Sequence, residues 1–160
     1  MQDKPDVQLR RTEIADLKVF FGFQRNKEAR LLAAFTPDDP DNETAYLAKH
    51  TKFLSDPKIN NQTILLGSAI VGSIAKFEID GQAELTYWID RNFWGQGVAT
   101  RSLKSFLSSE AARPIFGRVA FDNFGSQRVL EKCGFLKIGT DRGFANARQE
   151  VIEEYVYKLS

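Results

Sequence analysis

The pair Asp80-Gly81 constrains this chain more than any other two residues. It stands between two runs that read as strands, Ala69–Ile79 and Ala83–Ile89. Both central residues of a type I′ turn need positive φ, and Asp-Gly supplies them cheaply, so the pair marks a β-hairpin. Just upstream, Gly67-Ser68 suits a II′ turn between Thr63–Leu66 and Ala69. The middle of the chain therefore reads as a three-stranded antiparallel meander.

Around it, apolar spacing gives the other elements. Val7–Arg11 reads as a first strand. Thr12 is a good N-cap, and Ile14, Leu17 and Phe21 follow at helical spacing. Arg25–Phe35 reads as a second helical stretch, and Thr36–Glu43 as an acidic loop with two prolines. A third helix runs from about Asn42 to Leu54, with Tyr46, Leu47, His50, Phe53 and Leu54 on one face. After the meander comes a helix to about Glu110, ended by Pro114. Then follow a strand Ile115–Phe121, a helix Phe124–Cys133, and strands Leu136–Gly139 and Glu150–Lys158. The result is a mixed α/β (α+β) fold with its sheet covered by helices, and 160 residues suggest one domain over 1–160.

Composition removes several chemistries. The chain has one His (His50), one Cys (Cys133) and one Met. No set of ligands is spaced for zinc, so no metal is expected. A lone Cys forms no internal disulfide. A Ser-His-Asp or Cys-His arrangement would have to use His50. Twenty-two Lys+Arg against 21 Asp+Glu leave a net charge of +1, which gives no global field for nucleic acid. No apolar run is long enough for a membrane span, and the first residues lack the apolar region of a signal peptide. The expectation is a soluble, cytoplasmic chain with neither nucleic-acid nor membrane partners.

The sharpest local feature is Trp94-Gly95-Gln96-Gly97-Val98-Ala99-Thr100, between a strand and a helix. Glycines let the backbone approach a ligand, and the helix start offers unpaired N–H groups at the positive end of its dipole. This favours a phosphate or pyrophosphate. Thr100 and Arg101 could add a hydroxyl and a cation. The loop lacks the lysine of a Walker motif, and it lacks the third glycine and βαβ setting of a dinucleotide fingerprint. On its own it also fits a plain glycine turn before an ordinary helix.

A second segment follows, Asp122-Asn123-Phe124-Gly125-Ser126-Gln127-Arg128-Val129-Leu130-Glu131-Lys132-Cys133-Gly134-Phe135. Part of it is plain helix grammar. Asn123 is a good N-cap, and Gly134 suits the left-handed position after a helix, with Phe135 folding back on Leu130.

Taken together, in this order and spacing, Tyr87–Thr100 and Asp122–Phe135 resemble the GNAT superfamily of acyl-CoA-dependent N-acyltransferases. The wording is closest to the RimJ/RimL-like branch and related small-molecule acetyltransferases. The resemblance covers roughly Leu9 to the C-terminus, is specific over Tyr87–Phe135 and is weak before Asn61. It implies a central mixed, mostly antiparallel sheet with helices on both faces, and acetyl-CoA as cosubstrate. Backbone amides from Gly95 through Gln96, Gly97, Val98 and Ala99 to Thr100 would hold the pyrophosphate. The main chain of Trp88 and Ile89 would pair with the pantetheine arm, where the strands Ala83–Ile89 and Ile115–Phe121 splay apart. Asn123 would bond the pantetheine, with Arg128 and Arg101 as candidates for outer phosphates. Asn92 stands where the family often has Gln or Arg, a small departure because amides do most of the phosphate binding.

The implied chemistry is direct attack of a primary amine on the thioester. A protein N-terminus has a pKa of about 7.7–8.0 and a lysine about 10.4, so a site without a strong base suits an α-amine. Glu84 is the leading base candidate, since family members often carry a glutamate on this strand; it also reads as a cross-strand surface carboxylate. Ser126 falls on the stripe of Val129, Leu130 and Cys133, so its hydroxyl should face inward; it is a candidate to protonate the thiolate or else makes a helix-start hydrogen bond. Many relatives place a tyrosine where Leu130 stands, so Tyr87, Tyr46 or water would substitute. That same Leu130 supports the alternative reading, an acyl-CoA-binding or sensing domain without turnover. His50 reads as a packed core histidine or an acceptor-side base, and Cys133 as structural. The acidic residues Asp38, Asp39, Asp41 and Glu43 either cap the next helix or attract a cationic acceptor. The acceptor stays open among protein N-termini, amino acids, polyamines and antibiotics. Homodimers are common in the family and are an expected assembly.

Overall fold

The computed structural model describes residues 6–160. The chain runs β1 (Val7–Arg11), α1 (Asp16–Gln24), α2 (Lys27–Ala33), α3 (Glu43–Leu54), β2 (Asn60–Leu66), β3 (Ala69–Ile79) and β4 (Gln82–Ile89). After a 3₁₀ turn at Arg91–Phe93 it continues α4 (Val98–Ser109), β5 (Ile115–Ala120), α5 (Phe124–Lys132), β6 (Leu136–Ala145) and β7 (Glu150–Leu159). The strands form one seven-stranded sheet in the order β1-β2-β3-β4-β5-β7-β6. Every neighbouring pair is antiparallel except β4 and β5.

The turn residues act as the sequence indicates. Asp80 and Gly81 both take positive φ, 51° and 79°, and Gly67 does so at 62°. The hairpins set the register, pairing Ile74 with Tyr87 and Phe77 with Glu84. Alternation then divides β4 between two faces. Leu85, Tyr87 and Ile89 turn to the side of α4 and α5, where they join Val98, Leu103, Phe106 and Leu130 in the main core. Glu84, Thr86 and Trp88 turn to the other side, where α1 packs on β3 and β4 and α2 packs on β5. Helices thus cover both faces, as the family resemblance implied.

Three expectations are adjusted by long-range contacts. Thr12 does not cap α1: it is buried, and its hydroxyl meets that of Thr63 at 2.9 Å. The first turn is organised by Asp16, whose carboxylate accepts from Glu13 N at 2.8 Å, from Thr63 Oγ1 at 2.9 Å and from both terminal nitrogens of Arg10. Ile14, placed on the apolar stripe by spacing alone, is exposed. The third is β6, which runs on from Gly139 to Ala145, because β7 pairs with it throughout past a register shift between Lys137 and Gly139.

Candidate active site

β4 and β5 pair only where Ala83–Leu85 lie beside Ile115–Gly117. Beyond that point Thr86–Ile89 and Arg118–Ala120 run on without pairing each other. The sheet therefore opens into a V, and the glycine turn stands at the end of its β4 arm. Gly95 and Gly97 both take φ of 76°, a left-handed conformation that glycine adopts without strain. Gly97 is the N-cap of α4, and the first amide bonded back to it is that of Arg101, at 3.1 Å. The N–H groups of Val98, Ala99 and Thr100 thus have no acceptor within the helix.

Neighbouring side chains hold the turn in this shape. Trp94 Nε1 donates to Ile89 O at 2.9 Å, and Gln96 Nε2 to Asn92 O at 3.3 Å. The Arg101 guanidinium donates to Gln96 O and Gly97 O, so it binds the loop's carbonyls. Arg128 is exposed on α5.

Facing the V from α5 is a hydroxyl pair. Ser126 Oγ lies 2.5 Å from the Tyr87 hydroxyl, and burial pushes the Tyr87 phenol up to about 12. Ser126 therefore does face inward, with a partner on β4. Leu130 cannot approach this point: it is buried against Gly117, its Cδ2 3.0 Å from where a Cβ would stand. Asn123 caps α5 by accepting from Ser126 N at 3.3 Å, and its amide reaches Leu32 O at 3.4 Å. Cys133 Sγ points at Thr100 O, 3.8 Å away, and its thiol is pushed up by burial.

A cavity of about 580 Å³ adjoins the V on the opposite face of β4. Its floor is Ser73, Ala75 and Phe77 of β3 with Thr86 and Trp88 of β4. Leu17 and Phe20 of α1 and Tyr46, His50 and Phe53 of α3 wall it. The small side chains of Ser73 and Ala75 leave the room. Trp88 Nε1 is buried with no hydrogen-bond partner among the described residues, a state that ordinarily costs about 1–3 kcal/mol.

Glu84 is buried but does not wall this cavity. Its carboxylate accepts from Arg118 Nε at 3.2 Å, and Arg118 also holds Asp141 at 2.6 Å and Glu154 at 3.1 Å. Burial raises the Glu84 pKa, and the Arg118 charge opposes the rise. The acidic loop is likewise engaged elsewhere. Asp41 pairs with Arg30 at 2.7 Å, Asp39 accepts from Asn42, and Asn42 caps α3. His50, by contrast, stands on the cavity wall beside Tyr46.

This chain, with its opened sheet, left-handed glycine turn and cavity behind β4, matches over residues 6–136 the family model described as "Acetyltransferase (GNAT) domain". The chain belongs to that family. It is 24% identical over 161 residues to an uncharacterised N-acetyltransferase, p20, of Bacillus licheniformis, covering 94% of this chain and 90% of that protein. Among solved structures it resembles the microcin C7 self-immunity acetyltransferase MccE, seen in complex with acetyl-CoA and AMP. That match has a TM-score of 0.79 at 18% identity and covers 96% of this chain and 92% of the other. It also resembles a ribosomal-protein-S5-alanine acetyltransferase from Vibrio fischeri, with a TM-score of 0.77, 13% identity and coverage of 99% and 94%. No helix among the described residues is long and apolar enough to cross a membrane.

Proposed function

We propose that this protein is an N-acetyltransferase that moves an acetyl group from acetyl-CoA directly to a primary amine. The observation that carries the reading is the shared stretch Thr86–Trp88. It leaves β5 to form one arm of the V, and it also walls the cavity. Donor and acceptor can therefore meet across one strand.

The residues present fit the cosubstrate. The amides of Val98, Ala99 and Thr100 form an anion site at a helix start, suited to a pyrophosphate. The turn from Gly95 through Gln96 and Gly97 is held open toward it, because Arg101 ties back the carbonyls. The free edge of β4 at Trp88 and Ile89 is the place for an extended amide-bearing arm, with Asn123 at the far side of the V. Arg128 is free to reach outer phosphates from the surface of α5. Bound there, acetyl-CoA supplies the electrophilic thioester carbonyl.

The chain's own groups then handle the protons. The Tyr87–Ser126 hydroxyl pair is neutral at ordinary pH and is placed to give a proton to the departing sulfur. It takes the place of the tyrosine absent at Leu130. Glu84 is committed to Arg118, and we assign it to locking β4 to β5 where the strands begin to part. The acceptor is a primary amine small enough at its reacting end for the cavity, either a peptide N-terminus or a small molecule.

Release of CoA from acetyl-CoA in the presence of amines tests the reading. Gly97→Trp should remove acetyl-CoA binding, because a side chain there adopts a strained φ and fills the mouth of the amide site. Its far-UV circular dichroism should stay native. Normal acetyl-CoA binding by that variant would show the site to be misplaced. Saturable CoA binding by the wild-type protein with no transfer to any amine would favour the sensing alternative.

A further inference from the structure

We infer that His50 is a catalytic residue that takes the proton from the acceptor amine inside the cavity, and that Tyr46 and Phe53 hold its ring for that purpose. The inference rests on the N-acetyltransferase reading above.

The geometry leaves few other acceptors for that proton. Glu84 is held by Arg118 away from the cavity wall. The two carboxylates that do line the cavity, Asp56 and Glu78, are exposed, and both have local partners. Asp56 Oδ1 accepts from Lys58 N at 2.9 Å, and Glu78 faces Lys76 at 3.4 Å. The Tyr46 hydroxyl keeps its proton, since burial pushes its pKa up to about 12.

His50 is different. Its ring stacks on Tyr46 with centroids 4.0 Å apart and meets Phe53 edge-on at 5.3 Å. It makes no hydrogen bond to another described residue, so its nitrogens are available to a bound molecule. Burial, with a smaller contribution from Lys49, lowers its pKa to about 4, so the imidazole is neutral but a weak base, matched to the acidic ammonium that forms as nitrogen bonds to the acyl carbon. The charged groups sharing this space are Lys49 on its own helix, Asp56 and Lys58 in the turn after it, and Glu78 on β3. The same desolvation that disfavours imidazolium also disfavours an ammonium ion, so an entering amine loses its proton more readily here than in water.

The step balances. The amine nitrogen bonds to the acyl carbon and the carbon–sulfur bond breaks. The proton leaving nitrogen goes to His50, and sulfur takes one from the Tyr87–Ser126 pair. Water then returns the proton from imidazolium to that pair.

The test uses steady-state CoA release with a panel of alanyl, seryl and methionyl peptides, glycine, phenethylamine and spermidine. The best wild-type substrate is then carried to the variants. His50→Phe keeps the ring stack and removes the nitrogens, while His50→Gln keeps a hydrogen-bond acceptor that cannot take a proton. Both should lower kcat by about 10²–10⁴-fold with the KM for acetyl-CoA unchanged. Because His50 stays neutral from about pH 6 upward and the neutral fraction of the amine is the same in both proteins, the fold-loss should be constant between about pH 6.5 and 8.5. The single histidine also gives one imidazole signal in the tag-free protein, and that signal should shift when the chosen amine and CoA are added. Wild-type kcat in either variant overturns the inference and leaves the acetyltransferase reading standing. No turnover by the wild-type protein on any amine removes both.

Discussion

Replacing Gly72 by alanine tests how closely the cavity and the opened strand depend on one backbone contact. Gly72 lies on β3 opposite Ile89. A Cβ added there would stand 2.4 Å from Trp88 O, 3.1 Å from Ile89 Cδ1 and 3.3 Å from Ile89 Cα. Two of these three atoms are backbone and cannot rotate away. Since real Cβ contacts are essentially never under 3.0 Å, the Trp88 carbonyl would have to withdraw by at least 0.6 Å. Overpacking of this kind costs about 1–3 kcal/mol, which lowers Tm by roughly 3–10 °C in a protein of this size. Trp88 is also where β4 runs free beside the proposed cosubstrate. A displacement approaching 1 Å can cost up to about 10²-fold in rate, so kcat/KM for acetyl-CoA should fall about ten-fold or more. Gly139→Ala is the control, because a Cβ there meets nothing within 4 Å. Scanning calorimetry and CoA-release kinetics on both variants give the answer. A Gly72→Ala protein with wild-type Tm and kcat/KM would refute the reasoning.

Further outcomes follow from other contacts. Tyr87→Phe should reduce kcat about 10²-fold with a smaller change in the KM for acetyl-CoA, and the double variant with Ser126→Ala should be little worse, as expected for groups acting together. Asp16→Ala should cost about 1–3 kcal/mol in urea unfolding at pH 7, since it removes the ion pair of the partly exposed Arg10 and one of the two partners of the buried Thr63 hydroxyl, which keeps Thr12. The Arg10 hydrogen bonds hold the Asp16 carboxyl below the usual range, so its contribution is present above about pH 4 and is lost as pH falls through the lowered pKa. Wild-type and variant stabilities should converge in strong acid. His50 should titrate near 4 by NMR. Because its folded pKa lies below the unfolded value of about 6.5, its contribution is complete above that value and declines as pH falls from about 6.5 to 4. A midpoint near 6.5 would show the ring to be solvated.

Local signals were readable in the sequence where the deciding residues are neighbours. Asp80-Gly81 and Gly67-Ser68 carry their own backbone preferences, and β1 and β3 begin and end where the pattern placed them. Asn42 and Asn123 cap helices through bonds only three residues long. The glycine turn belongs to this group too. What escaped the sequence depends on which strands become adjacent. Thr12 looks like a cap until β2 places Thr63 against it. Glu84 has no visible partner in the sequence until the β4–β5 junction brings Arg118 within 3.2 Å. His50 shows the opposite case. Its helical spacing put it on an apolar face, and only the small residues of β3 reveal that this face borders a cavity. The alternation of Ser73, Ala75 and Phe77 was the available signal, because small side chains on an inward face imply either close packing or space.

The short β4–β5 register has a mechanical consequence. Two half-sheets, β1–β4 and β5–β7, are joined in the hydrogen-bond network by a seam of three residue pairs, with α4 packed on the first half, α5 on β5, and the two helices against each other. A molecule seated in the V would act as a splint, bridging the halves where the chain's own ladder stops. Catalytic competence and resistance to being pulled apart would then rise together, because the same few ångströms of open edge serve both.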